Sequence, residues 1–109
     1  MSYNRYDICW VELDPVRGSE LSKTRPAVIV SLDTLNRALE TVVICPLTTR
    51  LHPEWRTRLQ IKSIGKQAEI AADQIRVVSK TRLGKKIGSL SAQDAASLRQ
   101  LLSEMYGNG

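Results

Sequence analysis

The chain has 109 residues, which suits one domain over residues 1–109 and leaves too little apolar material for two independent cores. Hydrophobic residues make up 42% of it, with no Phe and only Trp10 and Trp55 among the largest rings, so Val, Ile and Leu must fill the interior. Lys and Arg outnumber Asp and Glu by 16 to 11, a formal charge of +5. No run approaches the roughly 20 apolar residues of a membrane helix, and no N-terminal stretch reads as a secretory signal, so a cytoplasmic protein without membrane contact is expected.

Short strand-like runs rich in Val and Ile come first. They fall at residues 6 to 13, 26 to 31, 41 to 47, 57 to 62 and 68 to 78, separated by turn residues such as Asp14-Pro15 and Arg17-Gly18. Their spacing is irregular and nothing repeats, which favours a compact, strongly bent sheet or barrel. A short helix is expected at 33 to 39, with Asp33 as its cap and Leu35 and Leu39 on one side. The clearest helix is the last element. Ser91 with Asp94 reads as a capping box, Ala95, Leu98, Leu101, Leu102 and Met105 form one apolar stripe, and Gly107 ends it. That stripe should pack against the sheet or a second subunit. The chain is thus read as mainly β (α+β), with a C-terminal helix.

The charge is uneven. Between residues 50 and 86 there are ten basic side chains against Glu54, Glu69 and Asp73, a surface that would concentrate phosphate polymers unless it is simply solvated. Cys9 and Cys45 sit singly in apolar runs, without the spacing of a zinc site, and read as buried thiols. No cofactor or metal is expected. The single histidine, His52, lies between Leu51 and Pro53 in a loop and reads as a solvated turn residue rather than a catalytic base.

One reaction needs no protein nucleophile, because in RNA the 2′-hydroxyl lies beside the scissile phosphate. Its attack builds negative charge on a five-coordinate phosphorus, which paired guanidinium donors and a hydroxyl can stabilise. Arg25 is held extended by Pro26 at the start of an apolar strand, and Thr48 ends another, so the two are candidates for those roles. A surface or ion-paired Arg25 is the plain alternative. The loop at 49 to 58 adds Arg50, Arg56, Arg58 and Trp55, suited to phosphate contact and base stacking but equally to anchoring a hinge.

Taken in order, WVELDPVRGSE at 10 to 20, TRPAVIV at 24 to 30, PLTT at 46 to 49 and ADQIRVVSKTRL at 72 to 83 resemble the MazF/PemK family of endoribonuclease toxins. The resemblance covers nearly the whole chain up to the terminal helix. It implies an SH3-like β-barrel of the MazF/CcdB type, acting as a homodimer that cuts single-stranded mRNA to leave 2′,3′-cyclic phosphate and 5′-hydroxyl ends. It also implies a cognate antitoxin, whose extended acidic segment would block the RNA path.

Carried residue by residue, the resemblance places catalysis on Arg25 and Thr48 and sets Glu20 near the same groove; Glu20 is then read as the general base and Arg25 also as a proton donor to the leaving oxygen. Ser19, Thr49, Trp55, Arg56, Asp73 and Gln74 fall along the substrate path, Gln74 bearing an amide suited to base edges. Glu20 could instead pair with Lys23 or Arg25, and Asp73 could be a turn residue. The chain departs from the family at Leu21, at Ser19, where some members have His, and at Ala71, where some have Arg. An acid–base scheme built on that His and Arg does not transfer. Two other functions fit the same barrel: a CcdB-like gyrase poison, against which the Tyr106-Gly107-Asn108-Gly109 end and the Arg25-Pro26 pair argue, and an RNA-binding module that does not cut.

Overall fold

A computed structural model describes residues 2–13, 24–62 and 65–107. Strands β1 (Asp7–Glu12) and β2 (Thr24–Ile29) pair antiparallel, Trp10 opposite Pro26 and Val11 opposite Arg25. After a short helix α1 (Asp33–Ala38), β3 (Thr41–Thr48) returns beside β2 with Ala27 opposite Pro46. Then follow β4 (Arg58–Ile61), β5 (Ala68–Ala71), β6 (Arg76–Ser79) and β7 (Leu83–Ser89), before the C-terminal helix α2 (Ala92–Leu102). Seven antiparallel strands run β4-β5-β3-β2-β1-β7, with β6 paired to β3, so the expected β-barrel class with a terminal helix is the observed one.

Strand alternation divides the apolar residues between two cores. Ile8, Val28, Cys45, Leu47 and Ile70 form one, covered by Ala95 and Leu98 of α2; Cys9, Val11, Ala27, Ile29 and Ile44 form the other. The α2 stripe packs as expected at Ala95 and Leu98, while Leu101, Leu102 and Met105 are half-buried. Ser91 Oγ accepts the Asp94 N–H at 3.1 Å, and the helix runs through a π turn at Ser103–Gly107. Among the described residues no helix is long and apolar enough to cross a membrane.

Three expectations are corrected. Asp33 is not the cap of α1: Leu32 is, and the Asp33 carboxylate instead accepts the Arg5 backbone N–H at 2.6 Å. The run at 68 to 78 is two strands joined by a 3₁₀ turn at Ala72–Gln74. β5 pairs with Leu47 and Thr48, β6 pairs with Thr41–Ile44, and neither pairs with Cys45 or Pro46. Pro46 has no N–H to give a neighbouring strand, and there the ladder breaks and turns its corner. β7 was not expected at all.

Both cysteines are buried and free. Burial, reinforced by Asp7, pushes the Cys9 thiol up to about 11. Burial, with Asp73 behind it, pushes Cys45 to about 12. Neither is a nucleophile near neutrality.

Candidate active site

The β2–β3 pairing ends at Ala27 and Pro46, and Arg25 and Thr48 lie two residues beyond that end, on the walls of one cavity. Both lie on the face of Ala27 and Ile44, just past the end of that core, where packed residues give way to solvent. A groove of about 460 Å³ opens there. Arg25, Thr48, Arg50, His52, Gln74 and Arg76 line it, from β2, the end of β3, the following loop, the 3₁₀ turn and the start of β6. The corner at Pro46, which also lines the groove, is what brings Gln74 and Arg76 to it.

Among the described residues Arg25, Arg50 and Arg76 have no carboxylate partner, so three cations face one cavity beside a hydroxyl. Thr48 Oγ1 accepts the Arg50 N–H at 3.1 Å, fixing the loop's departure from β3 and leaving the hydroxyl proton to donate outward. Such a site attracts a phosphodiester and resists a cation.

The fourth arginine on the wall, Arg58, is already committed. Its Nη1 lies 2.7 Å from Glu69 Oε2 and its Nε 2.8 Å from Asp73 Oδ1. Glu69 is fully buried and also accepts the Gln60 amide at 2.6 Å and the His52 backbone N–H. Burial alone would raise the Glu69 carboxyl, but the His52 amide, Gln60 and Arg58 together hold it below the usual range. Asp73, against a similar burial cost, is lowered by Arg58. Arg58 is raised, since its hydrogen bonds to Asp73 and Glu69 outweigh the burial that favours its neutral form.

This network shapes the loop. The Arg58 guanidinium lies 4.7 Å from the centroid of the Trp55 ring, and the His52 ring stacks on Trp55 at 3.9 Å and 10°. Glu69 therefore holds both ends of a His52–Trp55–Arg58 stack. Of the residues expected along the substrate path, Gln74 lines the groove, and Thr49 lines an adjoining recess with Trp10, Arg25 and Lys66. Trp55 stands at the loop with its ring partly covered, Arg56 is exposed beside it, and Asp73 faces Arg58. Ser19 and Glu20 lie outside the described residues. Sequence reasoning passed over Arg76 and the pairing of Arg58; the legible signal was Glu69, a carboxylate inside an otherwise apolar strand.

Residues 4–106 match the family described as PemK-like, MazF-like toxin of type II toxin-antitoxin system. Endoribonuclease MazF9 of Mycobacterium tuberculosis is 34% identical over 108 residues, covering 90% of this chain and 91% of its own. Endoribonuclease MazF of Staphylococcus saprophyticus is 35% identical over 92 residues, covering 80% and 77%. The fold is similar to that in a MazE-MazF crystal structure from Deinococcus radiodurans, with TM-score 0.85 and 20% identity over 100% of this chain and 99% of that one. It is also similar to a mycobacterial endoribonuclease solved in complex with its cognate antitoxin, with TM-score 0.77 and 23% identity over 97% and 94%.

Proposed function

This chain belongs to the PemK-like, MazF-like toxins of type II toxin–antitoxin systems, and from that premise we propose that it is a metal-independent endoribonuclease cutting single-stranded RNA in the Arg25–Thr48 groove. The observation that carries the reading is a set of three arginines that have no carboxylate partner among the described residues and line one groove with the Thr48 hydroxyl. The RNA's own 2′-hydroxyl attacks the adjacent phosphorus. Glu20 takes its proton, Arg25 clamps the phosphate with paired donors, and Thr48 hydrogen-bonds a non-bridging oxygen. The P–O5′ bond then breaks, leaving a 2′,3′-cyclic phosphate and a 5′-hydroxyl. Ser19, Thr49, Trp55, Arg56, Asp73 and Gln74 border the strand's path, with Arg50 and Arg76 adding to phosphate attraction.

The antitoxin is expected to be a peptide of acidic, extended character that fills this cationic groove. A second copy of the chain completes a homodimer. Half-exposed Leu32 and Leu35, with Tyr106, line one apolar groove with Val30 and Leu102 that such a copy would cover. The site of action is the cytoplasm, where mRNA is found.

Incubation of the purified chain with single-stranded RNA in excess EDTA should give scission with cyclic phosphate ends. Intact RNA under saturating binding would leave a binding module, and inhibition of gyrase without scission would leave the CcdB-like reading. Replacing Glu20 by Gln should slow cleavage and remove the rise in rate that follows deprotonation of a carboxyl on the acid side of the pH profile; wild-type rates across pH would remove Glu20 as base.

A further inference from the structure

The reaction needs a second proton transfer, expected above of Arg25, that a guanidinium serves poorly. A departing 5′-oxygen must be protonated, and a guanidinium releases a proton only above about pH 12, so none of the groove's arginines is a good acid. Histidine is the one side-chain type whose ordinary titration falls near neutrality. His52 is on this groove's wall. We propose that His52 is the general acid that protonates the leaving 5′-oxygen, an inference that rests on the ribonuclease reading above.

The geometry supports a fixed, available imidazole. The backbone N–H of His52 is held by buried Glu69, and its ring lies flat on Trp55 at 3.9 Å. Trp55 in turn meets Arg58, which Glu69 also grips, so the platform under the ring is itself held. Among the described residues no hydrogen bond occupies either ring nitrogen, so one is free to meet substrate. The charged groups that share the groove with His52 are Arg58 on β4, Arg50 in its own loop, Arg25 on β2 and Arg76 on β6, while Glu69 on β5 and Asp73 in the 3₁₀ turn are paired to Arg58.

The step balances. The 2′-oxygen forms its bond to phosphorus as its proton passes to the base, assigned above to Glu20. The P–O5′ bond breaks, its electron pair stays on oxygen, and the His52 imidazolium gives that oxygen a proton. Exchange with solvent then returns one proton to His52 and removes one from Glu20. His52 thereby acts as a catalytic residue, while Glu69 and Trp55 position it.

The test compares two RNAs at the linkage that wild-type protein cuts, one natural and one with sulfur replacing the 5′-bridging oxygen. A thiolate departs without a proton. His52→Ala and His52→Gln should each lose about 100-fold or more on natural RNA, the range of general acid catalysis, yet cut the sulfur substrate at close to the wild-type rate. Equal losses on both RNAs would make His52 merely structural, and no loss on natural RNA would remove it from catalysis; either overturns the proposal. Failure of wild-type protein to cut either RNA would instead overturn the ribonuclease reading itself, and this inference with it.

Discussion

Arg25→Ala should slow cleavage by about 100-fold or more, the usual consequence of removing donors aimed at transition-state charge. The residue is exposed at the end of a strand, and among the described residues its side chain forms no ion pair. Its backbone partnership with Val11 does not depend on the side chain. The fold should therefore hold, with a melting temperature close to that of wild type, since exposed substitutions of this kind move stability by roughly half a kcal/mol at most. A comparable fall in melting temperature would assign Arg25 to structure instead.

The second large effect falls on stability. Glu69→Ala leaves the Arg58 guanidinium, the Gln60 amide and the His52 N–H without their buried acceptor. Breaking a buried ion pair by removing one partner costs about 3–5 kcal/mol, a large part of a small domain's stability. Urea unfolding should show it, and wild-type stability in the variant would contradict the network.

Glu69 also predicts a pH dependence. Its folded carboxyl titrates below its unfolded value, near 4.3, so its contribution is complete above that value and is lost as pH falls below it. Asp73 shifts in the same direction and adds to the effect. Wild-type protein should thus lose stability more steeply below about pH 4 than Glu69→Gln, which has no carboxylate to protonate there.

The strands were legible where alternation or Val and Ile were dense, as in ICWVE and TVVIC. β7 escaped because LGKKIGS joins two lysines to two glycines, and its pairing with β1 is interrupted by register shifts at Cys9. Gly84 there lies against Trp10, where a Cβ would sit 3.4 Å from the Trp10 side chain and carbonyl, a close approach invisible to periodicity. The corner at 72–74 was hidden inside a run from Ala68 to Val78 that carries no Gly or Pro to mark a turn, since its cause lies on another strand, at Pro46.

The site was legible for a different reason. Arg25 and Thr48 each sit at a strand terminus, a position that sequence reveals locally, and the fold sets both on the wall of one groove. The surroundings of His52 and Arg58 were not legible, because both are held by Glu69, eleven or more residues away along the chain. A lone histidine in a polar loop gives no sign that a buried carboxylate fixes it beside a groove.

What most directly tests Arg25 as a paired-donor clamp is the single-turnover cleavage rate of Arg25→Lys in EDTA, with RNA binding measured in the same samples. Lysine keeps the positive charge but offers one compact ammonium in place of the planar fork. The variant should bind RNA and still cleave nearly as slowly as Arg25→Ala. A rate close to wild type would mean that charge alone suffices, and would contradict the clamp.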